Sequence, residues 1–215
     1  MENVQSQSSL FGLLEAVRGS WLFVVFFLSG ATALIYQLIW QRVLFGIYGI
    51  DIASVTVVVT AFMLGLGLGS LMGGAFSRAM PRATLSLFAI FELSIGLFGF
   101  CSIELFTWVG SLTLGIGHTG TGLVTFLLVV FPTTLMGATL PLLVAFATRR
   151  SGNVGRSVGN LYFVNTLGAA LGAFLSAGFL LGWLGLSTSV ELAAGLNVAL
   201  GLTVVAFSRL EAKKS

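Results

Sequence analysis

Long intervals without a single charged side chain govern what this chain can fold into. Residues 19–41, 52–77, 105–148, 157–190 and 192–208 hold no Asp, Glu, Lys or Arg, and most of them exceed the roughly 20 residues that carry an α-helix across a bilayer. Only 8% of the 215 residues are charged and the mean hydropathy is +1.06, against roughly 25% charge in a soluble domain. These figures exclude a water-soluble monomer. They predict an all-α polytopic membrane protein of six transmembrane helices, at about 21–45, 52–77, 83–109, 121–148, 157–181 and 187–208, joined by short connections.

Charge placement orients the spans. Arg18, Arg78, Arg82, Arg149, Arg150, Arg156, Arg209, Lys213 and Lys214 fall on one side of such a bundle and Arg42 alone on the other. The positive-inside rule then predicts both termini in the cytoplasm and loops near 46–51, 110–120 and 182–186 outside, in a multi-pass protein of the cell inner membrane. A net charge of +3 is explained by that topology and calls for no nucleic acid. Trp40, Tyr48, Trp108 and Trp183 are expected near the outer interface and Trp21 near the inner one, where an amphipathic ring is satisfied on both sides. Residues 1–20 lack the pattern of a cleaved leader. They read as a cytoplasmic tail or as a short interfacial helix, with Leu10, Phe11, Leu13, Leu14 and Val17 opposite Glu15 and Arg18. Residues 209–215 form a basic cytoplasmic tail.

Small residues recur at helical spacing. Gly65, Gly69 and Gly73 make a doubled GxxxG ridge in the second span, and Asn165, Gly168, Gly172 and Ser176 make another in the fifth. In lipid such ridges let backbones approach, so that dispersion contacts hold helices together. A phosphate-cradling reading of GLGLGS has neither a preceding strand nor a Walker lysine to support it. Pro132 and Pro141 interrupt the fourth span, where a kink is expected, with Thr133 and Thr134 at hand for freed carbonyls.

One acid lies deep. Glu92 is about ten residues from Arg82, hence roughly 15 Å along its helix at 1.5 Å per residue. A charge there costs roughly 2.5–3.5 kcal/mol on insertion scales, so the carboxyl should face the bundle and either find a polar partner or stay protonated. Gln37, Gln41 and Asn165 are the candidate partners. The residue reads as a cation or proton site, or as an acid closing an interhelical hydrogen bond. Arg42, Asp51, Glu104, His118 and Glu191 map to the outer face, where Arg42 is expected to pair with one of the acids. His118 and Cys101 are the chain's only His and Cys, too few ligands for a usual zinc site. No metal or cofactor is predicted.

The stretches SGATALIYQLIWQRVLFGIYG (29–49), AFMLGLGLGSLMGG (61–74), LFAIFELSIGLFG (87–99), PTTLMGATLPLLV (132–144) and VGNLYFVNTLGAALGAFLSAGFLL (158–181) together resemble the membrane domain of bacterial spermidine-synthase-like membrane proteins. The similarity spans residues 24–205 and keeps the order of all five. In many members this domain precedes a soluble Rossmann-type aminopropyltransferase domain, which would imply polyamine synthesis from decarboxylated S-adenosylmethionine. After the sixth span this sequence has only RLEAKKS, and no position matches the synthase residues, so no catalytic residue is carried over. More distantly, GGAFSRAMPR (73–82) resembles the loop between the second and third helices of a major-facilitator transporter, with Ser77 where an acidic residue is usual. Alternating access would then require a second six-helix unit. The leading expectation is a membrane scaffold or anchor module, an accessory subunit with a separately encoded membrane or soluble protein partner. The alternative is a dimeric half-transporter-like carrier, built with a second copy, of a polyamine or other cation.

Overall fold

Every long element of the described residues is a helix, the form in which a long apolar run satisfies its backbone polar groups within itself. The computed structural model describes the backbone of residues 2–48, 52–113, 115 and 117–212, and the side chains of 21–47, 55–113, 115, 117, 120 and 122–209. The helices are α1 (Glu2–Tyr48), α2 (Ile52–Ala79), α3 (Thr84–Thr113), α4 (Gly117–Ser151), α5 (Val154–Leu175) and α6 (Gly185–Ala212). A 3-10 turn, Pro81–Ala83, leads into α3, and α5 runs on through a π-helical turn, Ser176–Leu180, and a short turn, Leu181–Trp183. Six stretches are long and apolar enough to cross a membrane.

Several boundaries differ from the sequence reading. The segment 2–20 is continuous with the first span, because nothing in ENVQSQSSLFGLLEAVRG breaks a helix. The fifth span ends in a π-turn at Ser176–Leu180, where the Ser176 hydroxyl donates to the Gly172 carbonyl at 2.8 Å. Pro132 and Pro141 both sit inside one helix. Thr133 and Thr134 donate to the carbonyls of Val129 and Val130, next to the Leu128 carbonyl that Pro132 leaves without its amide. Trp40, two residues from Arg42, turns its ring into the bundle: it is fully buried, stacked on Tyr36 at 4.8 Å with its indole N–H donating to Ser102 at 3.0 Å. The indole N–H thus has a protein partner, as a buried indole needs. Trp108 and Trp183 are exposed, and Trp21 stacks on Phe207 at the other end. The side chain of Tyr48 lies outside the described residues.

Three helix pairs carry most of the packing: α2 with α4, α1 with α5, and α3 with α6. Each is a seam where glycine meets backbone. A Cβ at Gly69 would overlap the Thr134 carbonyl, one at Gly73 the Ala138 carbonyl, and one at Gly137 the Leu66 carbonyl. Across α1 and α5, Gly168 meets the Phe27 carbonyl, Gly172 that of Ala31, and Gly30 that of Asn165. Across α3 and α6, Gly96 meets Ala194 and Val198, while Gly201 meets Ala89 and Leu93.

These contacts obey one rule. Exchanging α1, α2 and α3 for α4, α5 and α6 turns the α2/α4 seam into the α5/α1 seam and maps the α3/α6 seam onto itself. The match holds residue by residue at a constant shift within each helix pair: Phe27, Gly30 and Ala31 correspond to Thr134, Gly137 and Ala138; Leu66, Gly69 and Gly73 to Asn165, Gly168 and Gly172; Ala89, Leu93 and Gly96 to Ala194, Val198 and Gly201. The hydroxyls of the equivalent Thr32 and Thr139 donate to the equivalent carbonyls of Ser29 and Met136, at 2.9 and 2.7 Å. Successive helices joined by short connections run antiparallel, so α1 and α4 point in opposite directions. The six-helix bundle is therefore two three-helix units of inverted topology related by a pseudo-two-fold axis.

Two apolar clusters fill the bundle, one around Tyr36, Trp40, Phe62 and Phe106 and one around Phe26, Phe88, Leu142 and Leu161. The seams set a test. Gly69→Leu and its counterpart Gly168→Leu should each lose about 1–3 kcal/mol of stability in detergent, because the added side chain meets backbone that cannot move aside. Gly67→Leu, with open space around its Cβ, should melt like the parent protein. An unchanged melting temperature for either seam variant would contradict the packing.

Candidate functional site

Between the two apolar clusters lies a thin polar layer, and Glu92 is its centre. The side chain is fully buried. The hydroxyl of Ser29 on α1 donates to one carboxylate oxygen at 2.6 Å, and the amide nitrogen of Asn197 on α6 donates to the other at 2.5 Å. Both oxygens are thereby satisfied by neutral donors, and three helices are tied at one level. The constant shift that relates α3 to α6 makes Glu92 and Asn197 equivalent positions, so their hydrogen bond lies on the pseudo-two-fold axis.

The polar cluster drawn from sequence is only partly assembled. Asn165 stands at this level, but its amide donates to the Phe26 carbonyl at 3.1 Å and not to the acid. Gln37 and Gln41 are partly buried further along α1 and do not reach Glu92, which corrects their assignment as its partners. Depth explains the difference. Counted from the arginine at the same end, Ser29 is about eleven residues in, Glu92 about ten and Asn197 about twelve, whereas Gln37 and Gln41 lie a further 8–12 residues on, about 12–18 Å at helical rise. Ser29 and Asn197 went unread, although Asn197 stands in a charge-free interval as plainly as Asn165 does. Matching depth across spans would have selected both.

Of the outer-face charges, Arg42, Glu104 and Glu191 are exposed, and no ion pair joins Arg42 to either acid among the described residues. Asp51 and the side chain of His118 lie outside the described residues. Among the described residues no group of three or more His, Cys, Asp or Glu is placed to hold a metal ion.

Beside the axis is a cavity of about 230 Å³, reached by Ser29, Thr32, Thr139, Asn165 and Asn197 and walled by Ile95, Leu66 and Met136. Glu92 does not line it; the acid's two donors stand between. Equivalent positions of the two units face each other across this space, Ser29 with Met136, Thr32 with Thr139, and Leu66 with Asn165. One difference matters chemically. Ser29 serves Glu92, while the equivalent Met136 has no proton to donate, and the Asn197 carbonyl oxygen is buried without a hydrogen-bond partner. The cavity thus presents hydroxyls, an amide and an unmet acceptor, with a carboxyl one bond behind. The arrangement can hold a small polar or cationic group. No family model, no curated protein and no solved structure matches the chain.

Glu92→Gln keeps an acceptor for Asn197 and can meet the Ser29 hydroxyl with its own amide, so it should fold and melt within about 1 kcal/mol of the parent. Glu92→Leu strands both donors and should lose about 2–4 kcal/mol. Denaturant titration of the two variants in detergent reads the difference; equal melting would show that the pair carries no stability.

Proposed function

We propose that the chain is an integral membrane scaffold or anchor module that works with a separately encoded protein subunit. The observation that carries this reading is the carboxyl of Glu92. The one acid in the middle of the bundle has both oxygens taken by Ser29 and Asn197 and stands behind the cavity wall, as a structural clamp should. Three backbone-contact seams add rigidity, since interlocked glycine ridges leave little room for one helix to slide on another.

The proposed setting is the cell inner membrane with both termini in the cytoplasm. Support comes from the helix ends: Arg78, Arg82, Arg149, Arg150, Arg156 and Arg209 cluster at one end of the bundle and Arg42 stands at the other. The resemblance to the membrane domain of spermidine-synthase-like proteins supplies the expected kind of partner, a soluble domain at the cytoplasmic end. Purification from native membranes in mild detergent tests the reading. A stoichiometric second chain is the expected result; a lone chain in every mild extract would defeat it. A cysteine introduced at Gly152 should resist an impermeant thiol reagent added outside intact cells, and rapid labelling would reverse the topology.

The axis cavity favours a second reading, a carrier of a polyamine or other cation with a second copy completing the path. Transporter sites commonly lie at the interface between inverted repeats, and this one carries polar groups from both units. Proteoliposomes separate the two readings. Saturable uptake of radiolabelled spermidine, abolished in the folded Glu92→Gln variant, would establish the carrier; flux equal to empty liposomes would leave the scaffold alone.

A further inference from the structure

A second cavity, of about 290 Å³, opens where α1, α4 and α5 converge at the arginine-rich end. Its walls divide by chemistry. Leu22, Phe23, Ala147 and Leu161 form an apolar floor, and Arg150, Arg156 and Asn160 rim it. The local fold explains why the cations gather there. Gly152 takes φ +67°, a left-handed conformation that lets α4 end and the chain reverse within two residues. Asn153 caps α5, its side-chain oxygen accepting from the Arg156 amide at 2.9 Å. The hydroxyls of Ser151 and Ser157 bond to each other at 2.9 Å, which closes the turn with its own polar groups. The guanidinium of Arg150 is held over the Phe146 ring at 5.0 Å, and the Arg156 side chain is exposed. The first turn of α5, a helix of 22 residues, adds the positive end of its dipole.

We infer that this cavity seats the phosphate of one anionic phospholipid, with the glycerol and upper acyl carbons on the apolar floor. The inference rests on the membrane reading above and is independent of whether the module scaffolds or transports. Two guanidiniums suit a phosphate, whose several oxygens accept their forked donors. A free phosphate would use the rim and leave Leu22, Phe23 and Leu161 without purpose. A lipid uses both halves of the cavity, and basic clefts between helices at the cytoplasmic side are known seats for such headgroups.

The test uses the full chain, delipidated in a neutral maltoside and titrated with phosphatidylglycerol, phosphatidylcholine or inorganic phosphate. Native mass spectrometry should retain one phosphatidylglycerol per chain, at least tenfold in preference to phosphatidylcholine, with a raised melting temperature. Arg156→Gln should weaken retention about fivefold, the factor expected for one basic residue near a lipid surface. Its exposed side chain makes the fold safe, and an unchanged circular dichroism spectrum confirms that. Arg82→Gln, at the same end but outside the cavity, should leave retention unchanged. Equal retention of the two lipids, an equal loss in Arg82→Gln, or the same protection by inorganic phosphate alone would overturn the lipid site. Resistance to alkaline carbonate extraction reads membrane insertion separately: an extracted chain defeats the membrane reading, whereas an inserted chain indifferent to phosphatidylglycerol defeats only this inference.

Discussion

Glycine against carbonyl is the contact on which the rest of this bundle depends. An apolar solvent gives helices no hydrophobic reason to associate, so close packing and the few buried polar bonds must do it. At each of the three seams the missing side chain lets one helix backbone settle on the next, as Gly69 does on Thr134 and Gly168 on Phe27. That proximity fixes rotation as well as distance. Once α3 is locked to α6 through Gly96 and Gly201, Glu92 and Asn197 have nowhere to face but each other. The buried acid is tolerable because the seams bring it donors, and the donors are close because the seams contain glycine.

The two cavities follow from the same arrangement. Where equivalent helices of the two units face each other without a seam, between α1 and α4, the space beside the central pair stays open and is lined by side chains of both units. Where α4 turns into α5, the chain reverses so tightly that arginines from both helices stand over the apolar end of α1. Polarity is concentrated at these two places. Elsewhere the outward surface of α5, with Phe163, Phe174 and Trp183 exposed, offers acyl chains what they can solvate.

Most of the fold was legible in the sequence, because charge-free length and small-residue spacing are what helices long and apolar enough to cross a bilayer require. Six spans and their order could be read from where arginines interrupt the apolar runs. The inverted repeat was not read, since it survives as a handful of identities: Gly-Ala-Thr at 30–32 and again at 137–139, and the paired ridges at Gly69 and Gly168. Packing conserves only the positions where a Cβ would collide and leaves the remaining side chains free to diverge. Glu92 was singled out correctly as the buried acid, yet Gln37 and Gln41 were drawn to it by residue type when depth along the helix decides what meets. Long-range partners are hidden for the same reason: Ser102, on another span, meets the Trp40 indole, and no local pattern announces it.

The axis also explains why its central pair must be unlike. A residue on a two-fold axis faces its own equivalent, so a duplication that kept Glu at both positions would set two carboxylates at hydrogen-bonding distance in a dry interior, where they could not both be charged. Glu92 opposite Asn197 resolves the conflict by making one unit the acceptor and the other the donor, and Ser29 with Met136 repeats that asymmetry one helix away. The consequence is visible in what is left over. Both carboxyl oxygens of Glu92 accept a hydrogen bond, whereas the side-chain carbonyl oxygen of Asn197 is buried without a donor. The two units are alike where backbones touch and differ at the polar pair on the axis, so the donor and the acceptor of that pair belong to different units.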